Sequence, residues 1–73
     1  MKRGYHEWIS NDPDLRFGFI TNPFGRILYI NQNWPEGKYE RVRNMPKHLG
    51  KHIRDNCVRG REFTKEELML ELL

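Results

Sequence analysis

The chain of 73 residues forms one domain at most, and a chain this short buries only about 60% of the surface that it exposes when unfolded. Apolar residues make up 37% and charged residues 32%, which predicts a thin core under a heavily charged surface. An active-site cleft of about 300 Å³ or more would take up much of that core, so an enzyme is not expected.

Three further classes of protein are excluded by simple patterns. No apolar run is long enough for a membrane-spanning helix, and the basic N-terminus is not followed by the apolar stretch of a secretory signal. The single cysteine, Cys57, cannot form an internal disulfide, which excludes a disulfide-stapled secreted domain. These patterns predict a location in the reducing cytoplasm.

Charge is distributed unevenly along the chain. Residues 1–37 sum to zero, residues 38–61 carry +6, and residues 62–73 carry −3. The basic middle segment favours an acidic partner, either a nucleic acid or an acidic protein surface. The other interpretation is a solvated basic face that the acidic C-terminal tail neutralises, and both stay open.

The middle of the chain predicts β-structure. Alternating aromatic and small residues predict a strand over Arg16–Thr21, and a β-branched and aromatic run predicts another over Arg26–Asn31. Asn22–Gly25 between them has turn residues, so residues 16–31 form a predicted hairpin. The second strand is apolar on both faces and should lie inside the sheet. A third short strand is expected over Tyr39–Arg43.

The pattern then changes to a helical one. Met45, Leu49, Ile53 and Cys57 recur every four residues, which predicts a helix that ends at Gly60.

A second helix is predicted at the C-terminus, where Thr64 and Glu67 have the spacing of a capping box. The fold class expected is therefore α+β, a small antiparallel sheet built on the hairpin of residues 16–31 with one or two C-terminal helices. Residues 1–10 show no clear period and are expected to be a flexible segment ahead of a single domain over residues 11–73.

Candidate catalytic and metal-binding residues are few. Ser10 is the only serine and has no base near it in the sequence. Cys57 falls on the apolar stripe, where an inert buried thiol is expected. His48 and His52 share a helix face, but two ligands do not complete a tetrahedral site. We therefore predict no catalytic residues, no metal and no cofactor.

One partial resemblance involves the predicted hairpin. Residues 15–21 read Leu-Arg-Phe-Gly-Phe-Ile-Thr, which resembles the first nucleic-acid-binding motif of cold-shock domains, and residues 27–31 are similar to the second. The resemblance implies that Phe17, Phe19 and Tyr29 stack on the bases of single-stranded nucleic acid. The alternative is that these three rings form the core, and the scarcity of apolar residues favours this alternative.

A second resemblance concerns the whole chain. In its length, basic centre and aromatic N-terminus it resembles the small RNA-polymerase-binding transcription regulators of Xanthomonas phages. That resemblance implies a phage-type protein of host takeover that binds host RNA polymerase, inhibits initiation and promotes terminator read-through by protein–protein contacts. It implies no particular site residues. An inhibitor of a toxin or nuclease fits the composition equally well.

Since the resemblance names no site residues, the partner-binding residues are predicted from residue type. Aromatic and arginine side chains are the usual anchors of interfaces. A monomer is expected, with residues 38–61 as further candidates for contact with nascent RNA or promoter DNA. The predicted partner-binding residues are Lys2, Arg3, Tyr5, Trp8, Trp34, Tyr39, Arg41, Arg43, Lys47 and Lys51.

Overall fold

A computed structural model describes residues 4–43, 50–51 and 55–73. In these ranges the chain forms a small α+β domain, which confirms the predicted fold class. The strands lie in the order β4-β3-β2-β1-β5, and every neighbouring pair is antiparallel. The elements are β1 (Tyr5–Ser10), β2 (Gly18–Thr21), β3 (Ile27–Asn31), β4 (Glu40–Arg41), β5 (Cys57–Phe63) and α1 (Lys65–Glu71).

The predicted hairpin is the centre of this sheet. The Asn22 side chain accepts hydrogen bonds from the backbone N–H groups of Phe24 and Arg26, both at 2.9 Å, and so closes the turn. Gly25 has a φ of 88°, a conformation that glycine adopts without steric cost. As predicted, β3 lies inside the sheet, between β2 and the short strand β4.

The prediction of a flexible N-terminal segment is wrong for Tyr5–Ser10. These residues form β1, which pairs with β2 on one side and with β5 on the other. The second neighbour, β5, is distant in sequence, and the hydrogen bonds that order β1 come from pairing with other strands, which leaves no periodic signal within residues 1–10.

The helical stripe that included Cys57 is also wrong at its C-terminal end. Cys57–Phe63 form β5, so Gly60 lies within a strand and does not end a helix. Gly50, Lys51 and Asp55 are helical, while Met45, Leu49 and Ile53 lie outside the described residues.

The C-terminal helix begins as predicted. Thr64 accepts a hydrogen bond from the N–H of Glu67 at 3.2 Å, and the Glu67 carboxylate accepts one from the N–H of Thr64 at 2.9 Å. The core lies between α1 and one face of the sheet, here called the inner face, and consists of Ile20, Phe63 and Leu68. Half-buried side chains surround it, namely Tyr5, Tyr29, Tyr39 and Leu72.

The opposite face of the sheet is here called the outer face, and Phe19 is buried there with 3% of its surface exposed. Phe19→Ala should lower the free energy of unfolding by about 3–5 kcal/mol, because it leaves a cavity in a small domain. Urea denaturation followed by tryptophan fluorescence measures this change. Leu15→Ala is the matched control, since Leu15 is 59% exposed and should change stability by less than about 0.5 kcal/mol. Equal effects of the two substitutions would contradict the structural role of Phe19.

Candidate binding surface

An aromatic row crosses the outer face of the sheet. The strand register pairs Trp8 with Phe19 and Phe19 with Ile30, which places the three side chains side by side. Phe17 extends the row, with its ring centroid 5.1 Å from that of Phe19 in an edge-to-face contact. Tyr29 points to the inner face and packs against the core.

The three rings that the cold-shock resemblance grouped therefore lie on different faces of the sheet. Phe19 and Tyr29 have the core positions that the alternative interpretation predicted, since Phe19 is buried and Tyr29 packs against Ile20 and its neighbours. Phe17 is half-buried, so part of its ring faces solvent at the end of the row.

A groove of about 940 Å³ lies at that end of the row. Its apolar lining includes Phe17, Phe19, Ile30 and Trp34, and Leu15 stands beside them with 59% of its surface exposed. Its charged and amide-bearing lining residues are Asp14, Arg16, Gln32, Asn33 and Glu36. A concave surface lined by half-buried apolar side chains is a candidate interaction site.

Two turns hold the groove residues in place. In the first, the Asp12 side chain accepts a hydrogen bond from the N–H of Asp14 at 2.9 Å, ahead of Leu15. In the second, Asn31 is buried, accepts from the N–H of Asn33 at 3.0 Å and donates to the carbonyl of Gly37 at 3.0 Å. The second turn carries Trp34.

Gly18 allows Trp34 to approach the sheet. A Cβ at position 18 would lie 3.0 Å from Cδ1 of Trp34 and 2.6 Å from the hydroxyl of Tyr39. Because a side chain at this position would crowd the Trp34 ring and the Tyr39 hydroxyl, the positions of these two groups beside β2 depend on glycine here.

The other end of the row carries a cation. The Trp8 indole donates a hydrogen bond to the hydroxyl of Thr21 at 2.9 Å, which fixes the ring. The Arg59 guanidinium carbon lies 5.1 Å from the centroid of that ring, within the range of a cation–π interaction. The outer face thus combines half-buried aromatic rings with an exposed arginine.

A buried carboxylate lies on the inner face of β1, behind the row. Glu7 is 1% exposed and accepts hydrogen bonds from the hydroxyl of Tyr39 and from Nε of Arg61 at 3.1 Å. Nη2 of Arg61 donates to Glu7 at 3.2 Å and to Glu71 of α1 at 2.9 Å. The Arg61–Glu71 ion pair joins the basic segment to the acidic tail at this position.

This arrangement changes the pKa values of its members. Burial by itself raises the pKa of Glu7, but hydrogen bonds from Arg61 and Tyr39 outweigh burial, so the pKa lies below its ordinary value of 4.5. Burial and the neighbouring carboxylate raise the pKa of Tyr39. Hydrogen bonds to Glu7 and Glu71 raise the pKa of Arg61. At neutral pH the group is therefore a carboxylate held by a neutral phenol and a guanidinium.

Among the described residues the predicted contacts lie in several places, although Trp34 and Tyr39 meet beside Gly18. Trp34 lines the groove, and Trp8 lies in the aromatic row. Tyr5 packs against the core, and Tyr39 donates to Glu7. Arg41 stacks over Tyr29, with its guanidinium carbon 5.7 Å from the ring centroid.

The remaining predicted contacts are basic. Arg43 and Lys51 are exposed, while Lys2, Arg3 and Lys47 lie outside the described residues. The sequence prediction missed Leu15, Phe17 and Ile30 as groove residues and Arg59 as the cation of the row. The alternation of Phe17 with Phe19 was a signal for the first part of this surface, whereas the pairing of Arg59 with Trp8 has no local signal.

The other candidate sites are a metal site and the thiol of Cys57. In residues 4–43, 50–51 and 55–73 no group of three or more His, Cys, Asp or Glu side chains could hold a metal ion, and His48 and His52 lie outside these ranges. Burial raises the pKa of Cys57, which disfavours the reactive thiolate. In the described part of the chain, no helix has the length and hydropathy needed to cross a bilayer.

No protein-family model, curated protein or solved structure matches this chain. The function is therefore inferred from the geometry of the described residues together with the resemblances that the sequence itself shows.

Glu7→Gln should lower the free energy of unfolding by about 3 kcal/mol at neutral pH, because it leaves Arg61 and Tyr39 without the charge that they bind. Since the pKa of Glu7 is lowered on folding, the unfolded chain binds the proton more tightly. Stability supplied by the carboxylate is then lost as the pH falls below 4.5 and through the folded pKa. Urea denaturation at several pH values should show a smaller acid-induced loss for Glu7→Gln than for the unsubstituted chain.

Glu36→Gln is the control, because it removes an exposed carboxylate and should keep the acid dependence of the unsubstituted chain. A Glu7→Gln variant that loses stability in acid as steeply as the unsubstituted chain would contradict the assignment of Glu7.

Proposed function

We propose that this chain is a non-enzymatic transcription regulator of phage type that binds host RNA polymerase through protein–protein contacts, inhibits initiation and promotes terminator read-through. The observation that carries the proposal is the apolar groove beside Phe17 and Trp34. Aromatic side chains that line a concave surface are the usual anchors of protein interfaces. A small protein changes the activity of a large enzyme by covering part of the enzyme's surface.

The area of the chain is sufficient for this role. The accessible surface is 5820 Å², and a standard interface takes about 800 Å² from each partner, roughly a seventh of that surface. The basic segment of residues 38–61 contributes long-range attraction to an acidic partner surface, and attraction of this kind acts mainly on the association rate. Anchoring at the groove and electrostatic steering by the basic segment are therefore separable.

The first test measures binding kinetics against purified host RNA polymerase at several salt concentrations. Trp34→Ala should shorten the lifetime of the complex by about thirtyfold, which corresponds to a loss of about 2 kcal/mol at an interface anchor. Arg43→Ala should instead slow association and flatten its salt dependence. Arg26→Ala is the matched control, since Arg26 is an exposed arginine outside the basic segment and should change the association rate less.

Unchanged amide NMR spectra away from the substituted residues would show that these variants are folded. An absence of polymerase binding at low salt would contradict the proposal, as would dissociation that Trp34→Ala leaves unchanged.

The aromatic row supports a second candidate, a single-stranded nucleic-acid-binding protein of cold-shock type. Trp8 and Phe17 are half-buried rings on one sheet face, on either side of the buried Phe19, and Arg59 lies over Trp8. Bases stack on partly exposed rings of this kind, and cations hold the phosphates. The motifs that resemble those of cold-shock domains lie on the adjacent strands β2 and β3.

The second candidate predicts that Phe17→Ala weakens binding of a single-stranded RNA oligonucleotide about tenfold, because one stacked base is worth about 1–3 kcal/mol. Fluorescence anisotropy at fixed salt measures this change. Phe24→Ala, which removes a phenylalanine that is 79% exposed and outside the row, should leave the affinity unchanged. Tight RNA binding without polymerase binding would replace the first candidate by the second, and weak RNA binding that both substitutions leave unchanged would exclude the second.

A further inference from the structure

The side of α1 that faces away from the core carries exposed apolar side chains next to charged ones. Leu68 is buried against the sheet and Leu72 is half-buried, whereas Met69 is 61%, Leu70 is 70% and Leu73 is 96% exposed. These are three of the six strongly exposed large apolar side chains within the described ranges. Apolar residues are only 37% of the chain, and a small core needs most of them. An exposed cluster of apolar side chains in such a chain is therefore typical of an interaction surface.

The exposed residues have the spacing of a helical docking face. Glu66, Met69, Leu70 and Leu73 follow one another at i, i+3, i+4 and i+7, the positions that align on one side of a helix. The N–H of Leu73 donates to the carbonyl of Leu70 at 3.3 Å, which continues the helical turn past the C-cap Leu72. An apolar stripe of this spacing is suited to packing against the apolar stripe of another helix.

A second cavity lies next to this stripe. It has a volume of about 510 Å³ between β5 and α1, and its lining includes Phe63 and Leu70. Carboxylates and one paired guanidinium complete the lining, namely Arg61, Glu62, Glu67 and Glu71. The apolar surface is thus bordered by negative charge on the side that faces β5.

The charge around the exposed apolar residues of α1 indicates the chemistry of the partner. Residues 62–73 carry −3, and Glu66 is exposed within the stripe. A nucleic acid would be repelled, and a second copy docked stripe to stripe would bring two acidic surfaces together. We propose that the outward face of α1, formed by Met69, Leu70 and Leu73, docks a basic amphipathic helix of a protein partner. This proposal is independent of polymerase binding at the groove, because the contact residues are different.

The test uses the full chain labelled with ¹⁵N and a synthetic amphipathic helical peptide made of leucine and lysine. The peptide should shift the amide signals of residues 66–73 and their neighbours in β5. Leu70→Glu should weaken the affinity measured by calorimetry at least about tenfold, since it places a charge in the apolar contact. Phe24→Glu is the matched control, because it also replaces a strongly exposed apolar side chain by a carboxylate, at a position outside both α1 and the groove, and should leave the affinity unchanged.

Two further results would overturn the proposal. A peptide of the same composition in scrambled, non-amphipathic order could bind equally well, which would show charge attraction without docking. Sedimentation could instead reveal a dimer of the free chain that Leu70→Glu dissociates, which would assign the stripe to a second copy. Both substituted positions are strongly exposed, and the amide spectra of the free variants show whether each one keeps the fold.

Discussion

The buried carboxylate of Glu7 is the constraint around which the domain is arranged. A charge that is 1% exposed is tolerated only when donors surround it. Arg61 supplies its side chain and its backbone N–H, the latter at 3.4 Å, and Tyr39 supplies a hydroxyl. Because these donors lie on β5 and immediately before β4, one side chain joins β1 to two distant parts of the chain. The second contact of Arg61, to Glu71, adds α1 to the same network.

Close packing makes this network possible. A Cβ at Gly60 would lie 2.9 Å from Oε1 of Glu7 and 2.9 Å from Cδ1 of Ile9. The register between β1 and β5 shifts between His6 and Trp8, so Arg61 is aligned with the carboxylate while Arg59 is aligned with Trp8. A β-bulge that redirects a side chain in this way is a common device near functional surfaces. The two arginines thus serve opposite faces of the sheet, Arg61 in the buried network and Arg59 in the exposed row.

A domain of this size cannot cover both sides of its sheet and both sides of its helix. The core of Ile20, Phe63 and Leu68 occupies the inner face. The half-buried end of the aromatic row and the outward side of α1 keep apolar surface in contact with water, which has an unfavourable free energy. We propose that partners cover this surface, and we therefore place the two proposed binding regions there.

The parts of the fold that the sequence predicts are local. Asn22 and Gly25 specify a turn within a few residues, and Thr64 with Glu67 specifies a helix start. By contrast, β1 and β5 are ordered by pairing with each other, and Glu7 meets Arg61 only after that pairing forms. Cys57 illustrates the difficulty, because a four-residue spacing in a short apolar series fits a helix although Cys57 begins a strand. For the same reason Trp34 could be selected as a contact residue by its type, whereas the groove around it depends on Ile30 and Phe17, which only the register brings together.

These contacts show where charged side chains of the basic segment lie in the fold. Arg61 belongs to the basic segment by sequence, but its charge is used by Glu7 and Glu71. Arg41 stacks over Tyr29, and Arg59 lies over Trp8, so both hold positions set by rings. A neutral ring does not cancel the charge of a guanidinium, so Arg41 and Arg59, which are exposed, still contribute to the long-range field together with Arg43 and Lys51. Of the three arginines in these contacts, Arg61 is the one whose charge carboxylates balance, so the steering that we propose for the basic segment depends on the others.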